Sequence, residues 1–296
     1  MVIRALPALT CRCLAPSAVA RAAFLTIARS RNQYSKKMKN MSVNSIAGGV
    51  QPIDGNRIIQ GLWIGSRLST MEQLSISSFL RNGHEYHLYT YNELPIVPPG
   101  TVIKDANEIL PESAIFQYRN RPSYAGFADV FRFKLLFERG GWWVDADMVC
   151  LRPFDFSEEY VFSSEMNGGQ QLTNVGVIKA PMGSEAIAHA YRVCQTKQPS
   201  KIKWGEIGPR LMSEVVKQYH LDKYQKPYYT FCPISDWHKF LEPYVAAIHP
   251  EAYAIHLWNE GWRLANQDKD SCYHRNCIYE QLKSMYLSRP SLKNNC

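Results

Sequence analysis

The residues Trp142 to Met148, Trp-Trp-Val-Asp-Ala-Asp-Met, most constrain what this chain can fold into. Their aromatic and β-branched members favour a strand, and the Gly-Gly pair just before them separates that strand from the preceding segment. Side chains two positions apart point to the same side of a strand, so Asp145 and Asp147 can aim at one point. Hard divalent cations prefer oxygen ligands, and α/β proteins bind ligands beyond the carboxyl ends of their strands. The motif therefore predicts a metal–diphosphate site.

The segment before this motif, residues 124–139, predicts an amphipathic helix. Phe127, Phe131 and Leu135 recur in it at helical spacing, and the Gly-Gly pair is well placed to end it.

Asp129 and Arg132 lie three residues apart in this predicted helix and therefore share a face. One interpretation is a surface ion pair, which contributes under about 1 kcal/mol. The other is a polar pair beside a ligand, in which Asp129 bonds sugar hydroxyls and Arg132 meets a phosphate or fixes Asp129. The spacing alone leaves both alternatives open.

Residues 124–148 resemble the glycosyltransferase family that carries a DXD sugar-binding region. That family includes yeast mannosyltransferases, capsular polysaccharide transferases and glucosylating bacterial toxins. Its pattern is a small-residue helix start, Asp-x-x-Arg, an apolar helix, Gly-Gly, an aromatic residue and Asp-x-Asp, and this segment matches it in order and spacing. The resemblance implies an α/β, GT-A-like nucleotide-sugar transferase fold, with a mixed, mostly parallel sheet flanked by helices.

The resemblance also implies roles for individual residues. Asp147 would ligate the metal directly, and Asp145 would contact the donor ribose and reach the metal through water. Asn174, in the pattern Asn-x-Gly-x-Ile-x-Ala-Pro, would act with them in catalysis as a donor to sugar hydroxyls. We expect five residues to bind the donor: Trp63, Asp129, Arg132, Trp143 and Asp145.

Trp63 lies near the end of the first predicted strand, in Trp-Ile-Gly. It is either a core residue or, as the resemblance implies, an aromatic residue against the nucleotide base, where stacking contributes roughly 1–3 kcal/mol.

Two later segments resemble α-1,4-galactosyltransferase-like enzymes. The first is Trp-Gly-x-x-Gly-Pro-x-Leu over residues 204–211, where Glu206 is a candidate acceptor-side acid or base, although Gly and Pro can also simply begin a helix. The second is His256-Leu-Trp258. His256 is either structural or a third metal ligand with Asp145 and Asp147, and imidazole beside carboxylates suits Mn²⁺, with Mg²⁺ as the alternative cofactor.

The remaining pattern predicts alternating strands and helices. We expect a strand over 57–65, a helix from about 70 to 81 and a strand over 85–91, which form a parallel strand–helix–strand unit. Further strands are predicted over 160–164 and 173–180, and further helices over 184–196 and 207–219.

The charge distribution divides the chain into a tract of residues 1–52 and a catalytic domain of residues 53–290. The net charge is +8, but the first 53 residues hold 8 basic and no acidic residues. Of the 34 basic residues in the chain, 26 therefore remain, and they balance the 26 acidic ones. The basic balance thus gives no reason to expect nucleic-acid binding.

The N-terminal tract has the composition of a mitochondrial-type transit peptide, being rich in Ala, Arg and Ser. The alternative is a misassigned start, with Met38 or Met41 as the true one and a cytoplasmic protein. Arg12 and Arg21 interrupt the apolar stretches, so no transmembrane span is expected.

Free thiols are expected by default, and Cys272 and Cys277 are a candidate bridge if the chain is secreted.

These observations predict a metal-dependent glycosyltransferase that moves a hexose from a UDP- or GDP-sugar to a hydroxyl of a glycan, glycolipid or protein, with retention implied by the resemblance. Two alternatives stay open. One is a phosphatase of the haloacid dehalogenase type that uses Asp145 and Asp147, although that motif normally opens its domain and here lies mid-chain. The other is a non-catalytic sugar-binding module, which would bind ligand without turnover.

Overall fold

The computed structural model describes residues 57–119, 121–243 and 247–287. The basic tract of residues 1–52 lies outside these ranges, as do both ends of the predicted catalytic domain. The division of the chain into these two parts therefore stays a prediction.

The strands of the described residues form one large sheet and one small one. They are β1 (Ile58–Trp63), β2 (Glu85–Thr90), β3 (Thr101–Asp105), β4 (Gly141–Val144), β5 (Met148–Cys150), β6 (Val161–Asn167), β7 (Gln170–Ala180) and β8 (Ala254–His256). The large sheet has the order β3-β2-β1-β4-β7-β6. β1 to β4 run parallel, whereas β7 runs antiparallel to both β4 and β6. This confirms the predicted α/β fold with its mixed, mostly parallel sheet.

Helices connect these strands. They are α1 (Thr70–Arg81), α2 (Ala125–Arg139), α3 (Glu185–Gln195), α4 (Leu211–Gln218), α5 (Asn259–Leu264) and α6 (Ile278–Tyr286). Ser69 begins α1 with a reciprocal cap, in which its hydroxyl accepts from the first turn and its backbone N–H donates to Glu72 at 2.7 Å. The predicted strand–helix–strand unit of β1, α1 and β2 is confirmed, with boundaries within two residues of those expected.

The helix expected over residues 207–219 begins differently. A wider, π-type turn spans Glu206–Arg210, and regular α-helix starts only at α4. Pro209 has no backbone N–H to donate, and Gly208 has non-helical dihedral angles, with φ −107° and ψ −107°. The Gly-Pro pair therefore reshapes the segment instead of simply starting a helix.

Two tryptophans anchor opposite faces of the sheet, because successive side chains of a strand alternate. Trp143 packs with Phe131 and Leu135 of α2 on one face. Trp142 packs with Phe79 of α1 and with Phe154 on the other. Each of these rings is at most 2% exposed, and full burial of a side chain such as Phe stabilises the fold by about 1.5–3 kcal/mol. The strand β4, which leads into the Asp-x-Asp motif, is thus fixed from both sides.

Gly140 ends α2 in a conformation that needs glycine, with φ +64°. A Cβ at this position would stand 2.5 Å from the backbone nitrogen of Met182. The tight passage from α2 into β4 therefore depends on the first glycine of the Gly-Gly pair.

The candidate Cys272–Cys277 bridge is not formed. Cys277 is a buried free thiol, as are Cys150, Cys194 and Cys232. Cys272 is disulfide-bonded. The prediction of free thiols therefore holds for the four buried cysteines and is wrong for Cys272. None of the described helices is both long and apolar enough to cross a membrane.

Candidate active site

The two aspartates of the central motif lie in the short connection between β4 and β5. The backbone N–H of Asp145 donates to Gly176 O of β7 at 2.8 Å, and the N–H of Met148 donates to Asp145 O at 3.0 Å. The first contact continues the β4–β7 pairing by one residue, and the second closes a tight turn. Both carboxylates are thereby held at the carboxyl edge of the parallel strands, as the motif predicted.

The Asp147 carboxylate is held by the C-terminal part of the chain. Its Oδ2 accepts from the backbone N–H of Asn259 at 2.8 Å and lies 3.3 Å from Nε2 of His256. Burial alone would raise the pKa of Asp147, but the charge and hydrogen bond of His256, with the Asn259 N–H, lower it. Asp147 is therefore kept ionised, which is the state that a metal ligand requires.

His256 lies on β8, directly opposite Met148 of β5. Its ring stacks on Trp258 with centroids 3.9 Å apart, and its Nδ1 faces the Cys232 sulfur at 3.8 Å. Burial would lower the pKa of His256, but the Asp147 carboxylate raises it well above its ordinary value. The small β5–β8 sheet is thus what brings a residue more than one hundred positions away to the Asp-x-Asp motif.

Asp145, Asp147 and His256 offer ligand atoms that all lie within 4.8 Å of one another. Two carboxylates and an imidazole form a donor set that suits Mn²⁺. Gly176 lines this cluster, since a Cβ there would stand 3.4 Å from both Asp145 Oδ2 and His256 Cε1. The missing side chain leaves a space beside the ligand atoms, so the residues present fit a divalent cation.

Arg132 is buried and contacts the carboxylates of both Asp129 and Asp145. It is 3% exposed, its guanidinium NH2 group lies 3.2 Å from Asp129 Oδ1, and its NH1 group lies 3.2 Å from Asp145 Oδ1. The NH1 group also donates to Val175 O, and Nε donates to Ala128 O at 3.3 Å. The surface-pair interpretation is therefore wrong for Asp129 and Arg132, and the observed contacts orient Asp145.

The carboxylate of Asp129 lies against Gly208. A Cβ on Gly208 would stand 2.4 Å from Asp129 Oδ2, so only glycine fits there without a shift. Burial raises the pKa of Asp129 to about 7 against the attraction of Arg132, and nearby Asp145 raises it further. The segment over residues 204–211 therefore covers the Asp129–Arg132 pair.

The two tryptophans proposed to bind the donor differ in their surroundings. Trp143 is 1% exposed, its indole N–H donates to Asp145 Oδ1 at 2.8 Å, and its ring lies 4.9 Å from the Arg132 guanidinium carbon. It supports the Asp145 carboxylate. Trp63 is only partly buried at the carboxyl end of β1, where its indole N–H donates to Arg67 O at 2.9 Å. Trp63 thus stands at the same edge of the sheet as the metal cluster.

Asn174 lies on β7 beside the cluster. Its Oδ1 accepts from Gly176 N at 2.7 Å, and its Nδ2 donates to Glu165 Oε2 at 2.6 Å. Ser163 supports both strands, because its hydroxyl donates to Asn174 O at 3.0 Å and accepts from Val177 N at 3.1 Å. The structure therefore places Asn174 around Gly176 together with Asp145 and His256.

Sequence reasoning missed Glu165, because it sits at the end of a strand with no motif around it. Glu206, the candidate acceptor-side acid or base, pairs with Lys197 at 2.7 Å and accepts from Lys203 N at 3.0 Å. The hydrogen bond from Lys197 lowers the pKa of Glu206. Its observed role is to fix the turn before α4.

Comparison with known protein families identifies the region around this site. Residues 64–165 match the family described as "Glycosyltransferase sugar-binding region containing DXD motif". The chain carries a glycosyltransferase sugar-binding region. This sugar-binding region runs from the end of β1 into β6 and contains the Asp129–Arg132 pair and both aspartates. The match confirms the predicted family and the predicted enzyme class, a glycosyltransferase.

Solved structures resemble the fold at low identity. "PaToxG Glycosyltransferase" is 15% identical, with a TM-score of 0.41, over 68% of this chain and 78% of that one. A structure described as a transferase mutant is 11% identical, with a TM-score of 0.41, over 69% of this chain and 94% of that one. The apo-form glycosyltransferase GlyE of Streptococcus pneumoniae TIGR4 is 13% identical, with a TM-score of 0.34, over 59% and 46%. No curated protein matches significantly.

The buried Asp129 predicts a pH dependence of stability. The unfolded chain loses this proton near the ordinary pKa of 3.8, whereas the folded protein retains it to about 7. The folded state therefore loses stability as pH rises across this window, by up to a few kcal/mol. We expect Asp129→Asn to remove this loss, so that its free energy of unfolding depends less on pH between 4 and 7 than that of the wild type. Denaturant titrations across this range measure it, and parallel curves for the two proteins would contradict it.

Proposed function

We propose that this glycosyltransferase is a metal-dependent hexosyltransferase that uses a UDP- or GDP-sugar as donor and a hydroxyl of a glycan, glycolipid or protein as acceptor. The observation that carries the proposal is the Asp145–Asp147–His256 cluster, which lies at the carboxyl edge of the sheet inside a chain with a DXD sugar-binding region. Mn²⁺, or Mg²⁺ as the alternative, would be held by these three residues.

The metal would neutralise the donor diphosphate and so stabilise the leaving group, an effect of several kcal/mol. The chain's own residues position the partners. The Asn259 N–H holds the Asp147 carboxylate at 2.8 Å. Asp145 has one oxygen fixed by Trp143 and Arg132, which leaves the other for the donor and the metal. Trp63 would face the base, and Asn174 would donate to hydroxyls of the transferred sugar.

The proposed order of these groups follows the order of the strands. Trp63 ends β1, the cluster follows the neighbouring β4, and Asn174 lies on β7, the next strand in the sheet. Neighbouring strands are about 4.8 Å apart, so base, diphosphate and sugar could lie side by side along one edge. Retention of the anomeric configuration is proposed from the family resemblance, with attack and departure on the same face.

The test is a screen of UDP- and GDP-hexoses for hydrolysis with Mn²⁺, with Mg²⁺ and with EDTA, in which the configuration of the released sugar is read by NMR. We expect one donor to be hydrolysed only with metal and with retention. Binding of a donor without turnover would instead support the sugar-binding module, and metal-dependent hydrolysis of p-nitrophenyl phosphate alone would support the phosphatase. Inversion would overturn the proposed stereochemistry.

We also propose that residues 1–52 target the protein to an organelle. The support is the absence of acidic residues from a tract with 8 basic ones. N-terminal sequencing of the native protein distinguishes an internal cleavage site from a start at Met38 or Met41, which would make the protein cytoplasmic.

A further inference from the structure

A cavity of about 430 Å³ lies next to the metal cluster. It falls within the size range of small-molecule sites and is lined by Glu165, Met166, Asn167, Gly168, Ser235 and Trp258. Trp258 belongs to both places, because its ring also stacks on His256 of the cluster. The cavity therefore adjoins the site proposed above, although the sequence analysis assigned it no role.

The lining combines the groups that recognise a sugar ring. A carboxylate, an amide and a hydroxyl come from Glu165, Asn167 and Ser235, and together they can accept and donate several hydrogen bonds. The indole of Trp258 adds a flat apolar surface, and its N–H is already used in a hydrogen bond to Ile234 O at 2.7 Å. Sugars present hydroxyls around their edge and C–H groups on their faces, so this mixture matches them better than it matches a purely apolar ligand.

Glu165 connects the cavity to the cluster through hydrogen bonds. Asn174 donates to Glu165 Oε2 at 2.6 Å and holds Gly176 N at 2.7 Å, and Gly176 in turn lies against the Asp145 carboxylate. A carboxylate has a second oxygen that can accept a further hydrogen bond. A hydroxyl bound there would lie one strand beyond the position proposed for the transferred sugar.

The strand order indicates whether the cavity would bind the donor or the acceptor. The proposed donor occupies the edge from β1 through β4 to β7, and β6 is the next and last strand of the sheet. Glu165, Met166 and Asn167 form the end of β6, which runs parallel to β4 and so reaches the same edge. The cavity therefore follows the transferred sugar and lies on the side away from Trp63.

We propose that this cavity is the acceptor subsite and that it binds a sugar ring of a glycan acceptor, stacked on Trp258 and hydrogen-bonded to Glu165 and Asn167. The inference rests on the proposed function. In the reaction, the acceptor hydroxyl oxygen bonds to the anomeric carbon, and the bond from that carbon to the diphosphate oxygen breaks. The nucleoside diphosphate leaves with the electron pair, and the hydroxyl proton passes to it.

The experiment measures transfer and hydrolysis separately, with Mn²⁺ and the nucleotide sugar that the wild type hydrolyses. Methyl glycosides of glucose, galactose, mannose and N-acetylglucosamine serve as acceptor probes, beside a Ser/Thr-containing peptide. We expect disaccharide formation with at least one methyl glycoside. In Asn167→Ala and Glu165→Gln, the KM for that glycoside should rise at least tenfold. The donor KM in hydrolysis should change less than threefold, because glutamine keeps an oxygen that can accept from Asn174 Nδ2. Glu138→Gln, which removes a carboxylate on α2, is the matched control.

Each other outcome counts against the proposal. A donor KM that rises as much as the glycoside KM would assign the cavity to the donor. Glycosylation of the peptide but of no methyl glycoside would show a different acceptor class, and hydrolysis with transfer to none of the probes would reject a monosaccharide-binding acceptor subsite. Hydrolysis is measured before any acceptor is added. If no nucleotide sugar is hydrolysed, the proposed function itself fails.

Discussion

Asp147→Asn is expected to abolish metal-dependent turnover while the protein stays folded. Asparagine keeps an oxygen that can accept from the Asn259 N–H, so the connection between β4 and α5 can persist. It removes the charge that a cation at the cluster would require. We expect turnover to fall at least about a hundredfold, a loss of roughly 3 kcal/mol in transition-state stabilisation. Donor hydrolysis across a Mn²⁺ titration measures it, with circular dichroism to confirm the fold.

The matched control for this variant is Glu85→Gln. Glu85 also pairs with a histidine, His87, at 2.6 Å, but it begins β2 at the opposite edge of the sheet. Its loss should leave turnover and Mn²⁺ dependence unchanged. Wild-type activity and metal dependence in Asp147→Asn would refute the metal assignment, whereas equal losses in both variants would point to a general effect of removing a paired carboxylate.

Arg132→Ala is expected to have the largest effect on stability. It would leave the buried carboxylate of Asp129 without its ion-pair partner and would remove a donor from Asp145 and from Val175 O. Removal of one partner from a buried pair costs about 3–5 kcal/mol. Urea denaturation above pH 7, where Asp129 is ionised, measures this loss. Turnover of the fraction that remains folded should fall as well, because Asp145 loses one of the two groups that orient it.

Two further variants separate charge from geometry at this position. Arg132→Lys keeps the charge, but one ammonium group cannot replace the fork that spans Asp129 and Asp145, so we expect an intermediate loss. Arg192→Ala removes an exposed arginine of α3 that pairs with Glu185, and its midpoint of unfolding should not change measurably. If Arg132→Ala left the midpoint of unfolding unchanged, as expected for Arg192→Ala, the buried contacts of Arg132 would not stabilise the protein.

The local parts of this structure could be predicted from sequence because their signals are local. The apolar stripe of residues 124–139 and the capping box at Ser69 each specify a helix within a few turns. The Asp-x-Asp spacing predicted that two carboxylates on one strand would aim at one point. Because β4 ends at Val144, it is instead the turn after this strand that brings Asp145 and Asp147 together. His256 was recognised only through its resemblance to a motif, because the pairing of β5 with β8 has no local signature.

The remaining features depend on contacts between distant segments. The three-residue spacing of Asp129 and Arg132 also fits a solvated helix face, and only the contacts with Gly208 and with Val175 of β7 show that the pair is covered. Glu165 acquires its place from the pairing of β6 with β7, and a strand register cannot be read from either strand alone. The candidate bridge between Cys272 and Cys277 is absent for the same reason, since sequence spacing does not determine which thiols meet.

The pairing of Met148 with His256 also has a consequence for how the protein matures. During synthesis all six strands of the large sheet emerge before β8, so the sheet can form while the metal cluster still lacks its imidazole and Asp147 still lacks the Asn259 N–H. Contacts between distant segments are slow to close, and N-terminal parts of a chain fold first. The nascent chain can therefore hold both aspartates in place before His256 and Asn259 have been synthesised.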